Sequence, residues 1–523
     1  MADENPRNIG FIMIENAWKP AQRPYHKQKL AIILANMRHF ALEQAKRGVC
    51  IKYIFGKDRY SSLLAPLIGE LGIVSVCEPA ERELREDLRP LVDGGALRMK
   101  PHSGWLTSSE LFRKTLKPDG KPRMDSFYRA SRKATDILMF QGKPVGGKYS
   151  FDSENRRPWK GTPPAPSKPL FPSSDIKNEV GGIIESSFGH HPGKLDLNSL
   201  PCTIDDANSL WSWAINNCME NFGPYEDAMS TESSGLFHTR ISALLNINRL
   251  APQRLVRDVW ELDIDLPSKE GFIRQVLGWR EYVRHCHEYT NGFRDDRFGP
   301  KVVASDSESC GRYSLKSEGS KWKCEAGASP NFMDSFEELP PGDWGEKSGF
   351  NCLDSVINDV WNEAYSHHIT RLMILCNFGA LLDVCPRQLT DWFWVAYQDA
   401  YDWVVEPNVF GMGLYALGDF MTTKPYVAGS AYINRMSDYC GSCAFNPSND
   451  CPVTNLYWAY LDRHSERLKK NVRLSVVMSS LSKRDKSRKE IDRAVFRLVS
   501  KTLARGEALS PTAIVDLKHK RNF

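Results

Sequence analysis

The chain is 523 residues long with a formal net charge of +5, more than one hydrophobic core usually serves, so at least two domains are expected. With 41% hydrophobic and 25% charged residues, the composition excludes a disordered or fibrous protein. No basic and apolar leader opens the sequence, so no signal peptide is expected; the longest apolar run, Leu372–Val384, is too short to span a bilayer, and a cytoplasmic location is expected.

In chain order, Asn8–Glu15 ("NIGFIMIE") and Val49–Phe55 ("VCIKYIF") read as buried strands. Helical periodicity fills the stretch between them and stops at Gly48. A helix over Tyr60–Leu71 and a strand over Gly72–Cys77 follow. This alternation predicts an α/β domain over residues 1–140 built on a Rossmann-like parallel sheet. No Gly-x-Gly-x-x-Gly is present, so no dinucleotide fingerprint accompanies it. Residues 141–202 are expected to link the domains. Their first part, Gln141–Pro172, is dense in Gly, Pro and basic residues and reads as a surface connector. Residues 203–483 read as an all-α domain, broken at Phe298–Asp343 by a polar Gly/Ser-rich loop or insertion. Residues 484–523 form a basic C-terminal extension. From Arg463 onward there are 17 Lys+Arg against 6 Asp+Glu. Such an end suits a polyanion such as nucleic acid, and equally a solvated helix face with a frayed tail.

Thirteen cysteines, an odd number and mostly scattered, argue for a reducing compartment over a disulfide framework. Three are clustered as Cys440-x2-Cys443-x7-Cys451-Pro452, in a turn-rich segment. Cys352, opening the helical block before them, is the candidate fourth ligand. Four thiolates satisfy zinc, but zinc sites usually pair two close Cys-x2-Cys knuckles. One knuckle, a third cysteine before proline and a distant fourth suit an iron–sulfur cluster better. Unligated thiols in a loop are the plain alternative.

Asp359–Phe378 ("DVWNEAYSHHITRLMILCNF") reads as a helix with His368 on the apolar face of Val360, Trp361, Ala364, Leu372 and Leu375. His368 is therefore expected to point inward, with Arg371 beside it and Asp402 as an available anion. An inward His is most often a satisfied core residue. With an Arg one turn away it becomes a candidate proton donor. Asp391–Asn408 carries Trp392, Trp394 and Trp403 in one helical stretch. Bulky core packing and a relay of oxidisable rings both fit that spacing.

Together with "HKQKLAIILANMRHFA", "GKPVGGKYSFDSENRRP", "NFGPYEDAM", "LFHTRISALLN", "GWREYVR", "AYSHHITRLM", "MTTKPYVAGSAYINRMSDYCGSC" and "CPVTNLYW", the sequence resembles the bacterial iron–sulfur cryptochromes and (6-4) photolyases over nearly its whole length. The resemblance implies photolyase/cryptochrome architecture, with FAD in the helical domain and a [4Fe-4S] cluster on Cys352, Cys440, Cys443 and Cys451. His238, Thr239, Arg240 and Ser242 would cradle the flavin phosphates, as an arginine and hydroxyls can. Tyr225 and Arg280 would line the same pocket, Arg371 would pair with Asp402, and Asn408 would face the flavin ring. The implied reaction is light-driven repair by a monomer of UV-damaged double-stranded DNA with the lesion flipped out. His368 would act as the acid, His367, Met412 and Tyr426 would line the lesion pocket, and Trp392 and Trp344 would re-reduce the flavin.

The sequence departs from the family in four places. It starts at the family's second strand, without the opening run that ends Gly-Asp-Gln-Leu, which counts against the ribityllumazine antenna of the N-terminal domain. Phe393 replaces the tyrosine that follows Trp392, so the last electron step is weakened or rerouted. "VVEPN" (Val404–Asn408) moves a carboxylate to Glu406, expected at the flavin wall. The Phe298–Asp343 segment is long and carries Cys310 and Cys324. Two other functions stay open: a blue-light photoreceptor with the same cofactors and no repair, and a non-photochemical iron–sulfur protein that binds nucleic acid, which absence of flavin would mark.

Overall fold

Strand β1 (Gly10–Asn16) pairs in parallel with β2 (Cys50–Gly56), Gly10 opposite Cys50 and Asn16 opposite Gly56. The helix between them, Lys27–Lys46, begins where the His26 ring nitrogen accepts the Gln28 backbone N–H at 3.0 Å. It stops just before Gly48, whose φ of 92° only glycine adopts without strain. One face of this helix carries Leu30, Ala31, Ile32 and Ala35 into the core. Arg38 on the same helix grips Glu15 of β1 through two hydrogen bonds of 2.7 and 2.8 Å. Strand β3 (Val74–Cys77) pairs in parallel with β4 (Leu97–Lys100) around the helix Arg82–Asp93. The computed structural model describes residues 5–295, 298, 312–315, 318–321 and 328–519. Among these the parallel strands form two separate pairs, not the single sheet expected. The second pair closes its own small cluster of Ile68, Leu88 and Leu97.

The connector after residue 140 is irregular, as its composition dictates, but it is anchored and not a loose surface strap. Phe151, Trp159 and Phe171 are buried, and Phe151 N–H donates to Glu270 at 2.9 Å. The helix Asp175–Phe188, started by Ser174 capping Lys177 N–H, then packs on Lys27–Lys46. Beyond it Thr203 and Asp206 form a reciprocal capping box at the head of Ile204–Asn217. From there the described chain is mainly helical. One apolar core runs from Tyr25 and Leu30 through Trp211, Trp392 and Phe410 to Ile514, so N-terminal helix and helical region share an interior. Among the described residues three π-helical stretches interrupt the helices, at Arg274–Arg280, Arg371–Cys376 and Glu406–Gly413. Such turns recur where a helix re-aims side chains at a site.

The Phe298–Asp343 segment has structure of its own, contrary to expectation. Arg312–Leu315 pairs antiparallel with Glu318–Lys321, and Ala328, Met333 and Leu339 are buried. Cys310 and Cys324 lie outside the described residues. Near the C-terminus, Val453–Arg463 packs against Lys486–Ala504. Much of the local positive charge is spent internally: Arg463 bonds Asp383, Arg484 bonds Asp492 and Arg493 bonds Asp462. Among the described residues no helix is long and apolar enough to cross a membrane.

Candidate active site and thiol cluster

The helix expected from Asp359 to Phe378 is broken. Asn351–Glu363 ends at Ala364, which takes a left-handed φ of 50°, and helix resumes only at His368. His368 therefore does not share a face with Val360 and Trp361. It is the buried His367 that points inward, while His368 is solvent-accessible. Although His368 is exposed, Arg274, Arg371 and Asp152 all act on its charge.

Three imidazoles converge here. His238 stacks on His367 with centroids 4.4 Å apart and planes 9° from parallel, and meets His368 edge-on at 5.2 Å. One ring nitrogen from each lies within 4.8 Å of the others. His238 Nε2 donates to the Glu226 carbonyl at 3.2 Å, which leaves its Nδ1 as an acceptor. Both ring nitrogens of His367 are buried without a hydrogen-bond partner, a costly state that a ligand's donor or acceptor would relieve. Burial, followed by neighbouring positive charge, holds His238 and His367 well below the usual imidazole range. Burial, then Arg274 and Arg371, brings His368 down to about 4.

Arg371 donates to both oxygens of Asp399, each at 3.0 Å, and not to Asp402 as the sequence suggested. The helix Pro386–Ala396 ends before Tyr397, so the register that would carry Asp402 to Arg371 is lost. Asp399 also accepts Ser242 Oγ at 2.6 Å, and Arg371 lies 4.0 Å over the Tyr397 ring. Burial works against the Asp399 charge, but Arg371 and hydrogen bonds from Arg371 and Ser242 outweigh it and hold the carboxyl below its usual range. Asp402 instead accepts the backbone N–H groups of Arg82 and Glu83 at 2.7 and 3.2 Å, capping the helix Arg82–Asp93 from across the chain.

Arg240 sits at a φ of 56°, a strained setting for a residue with a Cβ and one that recurs at functional sites. It donates to Glu363 at 2.7 Å and to Ser234 at 2.5 Å, and lies 4.4 Å over Tyr365. Thr239 is buried next to it. Tyr225 and Arg280, expected in one pocket, are held against different walls. Tyr225 donates to the Thr162 carbonyl at 3.1 Å, whereas Arg280 reaches the Gly104 carbonyl at 3.2 Å and lies 4.0 Å over Trp105. The Asn408 amide closes onto its own helix at Val404, 2.8 Å away. Glu406 is no flavin wall: fully buried, it is gripped by His287 at 2.8 Å, Arg387 at 2.9 Å and Arg294 at 3.0 Å.

Around the recess stand further polar groups, Asp152, Asn155 and Arg156 from the connector and Glu226 and Gln275 from the helical region. Asp152 accepts Arg274 at 2.8 Å and also binds Arg156. Glu226 accepts Asn155 at 2.9 Å and Gln275 at 2.6 Å. The run "FDSENRRP" was the available signal. Met412 and Tyr426 are half-buried, and burial, followed by Asp152, raises the Tyr426 phenol. Trp392 is fully buried, and its indole contacts Trp361 at 6.0 Å.

Cys440, Cys443 and Cys451 all lie within electrostatic reach of Cys352. Cys352 opens Asn351–Glu363, Cys440 and Cys443 flank a tight turn, and Cys451 precedes Val453–Arg463. Asn351 ties the parts together by donating to the Tyr439 carbonyl at 2.8 Å. Burial, then Cys451, Cys443 and Cys440, pushes the Cys352 thiol well up. Burial, then Cys443, pushes Cys440 up to about 11. Thiols that oppose one another's ionisation in this way are what a bound cation would neutralise.

A cavity of about 820 Å³ lies elsewhere, at the C-terminal ends of β1 and β2, with Trp18, Tyr25, Lys29, Tyr60, Trp394 and Tyr401 among its walls. Crevices at strand C-termini are where open α/β sheets bind ligands.

The chain path is similar to that of a Synechocystis cryptochrome crystal structure, with a TM-score of 0.52 at 12% identity over 88% of this chain and 83% of that one. A bacterial class III photolyase from Agrobacterium tumefaciens scores 0.49 at 15% identity over 97% and 92%. The cryptochrome match makes this the photolyase/cryptochrome fold. The family model for deoxyribodipyrimidine photo-lyase-related proteins matches residues 1–199. A protein of Agrobacterium fabrum described as a (6-4) photolyase is 34% identical over 469 residues, 86% of each chain. The chain belongs to this photolyase-related family.

Proposed function

We propose that this protein is a light-driven (6-4) photolyase that acts on a pyrimidine photoproduct flipped out of DNA. The observation that carries the reading is the recess where His238, His367 and His368 meet beside the Arg371–Asp399 pair. The residues present fit FAD: Arg240, Thr239 and Ser242 supply a cation and hydroxyls for the phosphates, and the unpartnered His367 nitrogens await a polar group. Reduced FAD, when bound, supplies the blue-light-absorbing electron donor. The chain's own residues do the rest. Met412 and Tyr426 line the lesion pocket, and Arg156, half exposed beside Asp152, favours the DNA backbone. His368 is the acid. At about 4 it is neutral in the free protein at neutral pH, so it donates a proton only once bound phosphate or another anion raises its affinity for one.

Cys352, Cys440, Cys443 and Cys451 would hold a [4Fe-4S] cluster, with the role of pinning the C-terminal helices. Among the described residues only the imidazole trio brings three donors within 4.8 Å of one another; the thiols stand further apart than one tetrahedral zinc draws its ligands. The cavity of about 820 Å³ has the size for a ribityllumazine antenna between aromatic walls. A photoreceptor without repair is favoured by one observation, the neutral His368.

The test is an ultraviolet–visible spectrum of the purified protein, then blue light with a (6-4)-lesion oligonucleotide. Flavin bands over a broad cluster shoulder and loss of lesion are expected, with repair abolished and flavin retained in His368→Ala. Flavin without repair moves the reading to a photoreceptor, and no flavin overturns it.

A further inference from the structure

Phe393 leaves a gap in any ring-to-ring electron path, because a phenyl side chain is far harder to oxidise than a phenol or an indole. The structure fills that gap from another helix. Trp361 stacks on Trp344 with centroids 5.3 Å apart and planes 22° from parallel, and meets Trp392 edge-on at 6.0 Å. Trp392 is fully buried, while Trp361 and Trp344 are partly exposed, so the three rings run from core to surface. At the inner end Trp392 reaches Tyr397 at 6.1 Å, and Tyr397 lies under Arg371.

Trp361 is held as rigidly as a relay ring needs to be. Its indole N–H and that of Trp392 both donate to the Asp343 carbonyl, each at 2.9 Å. Its own carbonyl accepts Lys194 N–H at 2.8 Å and His26 Nε2–H at 3.2 Å. The His26 ring stacks on the Trp361 indole, centroids 5.8 Å apart and planes 7° from parallel, and burial keeps that imidazole neutral down to about pH 4, so it places no positive charge against an oxidised indole.

We propose that Trp361 carries electrons between Trp344 and Trp392, replacing the route closed at Phe393. This rests on the reading that the recess beside Arg371 holds FAD. With flavin held in the recess, Trp392 would give it one electron in each light-driven event. Trp361 refills Trp392, Trp344 refills Trp361, and an external thiol at the surface gives one electron to Trp344. Over two events two thiols would end as one disulfide, and the two protons they release to solvent balance the two electrons delivered.

The test compares Trp361→Phe with Trp361→Tyr in the flavin-loaded protein. Photoreduction under blue light with dithiothreitol is expected to be lost in the Phe variant and kept in the oxidisable Tyr variant. Repair after dithionite reduction in the dark should be equal in both and in the wild type. The circular-dichroism exciton couplet of the stacked indole pair should disappear from both variants, flavin-free or loaded. Wild-type photoreduction in Trp361→Phe, or equal loss in both variants, overturns the relay. A wild type that photoreduces but repairs nothing sinks the photolyase reading and leaves the relay standing. A wild type without flavin sinks both.

Discussion

Replacing Asp399 with Asn tests the centre of the proposed site. Asp399 is 5% exposed and accepts two hydrogen bonds from Arg371 and one from Ser242. The amide keeps the shape but removes the charge and turns an NH2 toward the guanidinium. Breaking a buried ion pair from one side costs about 3–5 kcal/mol. The Arg371 side chain is 21% exposed, so water screens part of the loss and about 3 kcal/mol is expected. That is a large share of a typical domain's stability of about 5–15 kcal/mol. The assay is urea unfolding with flavin retention measured on the same preparation, beside Asp402→Asn as the control. Asp402 caps a distant helix, and an Asn cap works nearly as well, so the control should lose about 1 kcal/mol or less and keep its flavin. If Asp399→Asn unfolds like the wild type with full flavin, or if Asp402→Asn empties the site, the assignment of the Arg371 partner to the flavin pocket is refuted.

Other perturbations separate structural from reactive groups. Burial lowers His26 from 6.5 to about 4. Above pH 6.5 it is neutral in folded and unfolded chains and contributes nothing. As pH falls below 6.5 the unfolded chain takes up its proton first, so about 3 kcal/mol is lost by about pH 4. Thermal unfolding across that window should show the loss, and His26→Gln should flatten it; an unchanged profile in the variant rules His26 out as the cause. Glu406→Gln leaves two buried arginines short of their anion and should cost about 3–5 kcal/mol without directly touching the recess; wild-type stability in urea would deny the network its role. Cys440→Ser should give insoluble or flavin-poor protein with iron lost, measured by metal analysis. A soluble, fully flavinated variant would count against a structural cluster.

Periodicity and punctuation made several elements readable in advance. The Lys27–Lys46 helix, its end near Gly48 and both flanking strands follow from local apolar spacing and from a glycine that alone tolerates φ of 92°. What misled was the assumption of unbroken helices. Ala364 and the non-helical run at Tyr397–Tyr401 each reset the register. That turned His368 toward solvent and exchanged Asp402 for Asp399 as the partner of Arg371.

By itself, then, the sequence determined the class of each region and the kinds of group available: an α/β start, a helical body, a cysteine quartet, paired histidines and abundant indoles. These depend on neighbours a few residues apart, which composition and period record. Only the tertiary structure decided which groups meet. The stacking of His238 on His367, the grip of two arginines and His287 on Glu406, and Trp361 standing between Trp344 and Trp392 join residues from separate segments. Their positions are set by packing in the shared core, where side-chain shape and helix breaks fix contacts that no local pattern encodes.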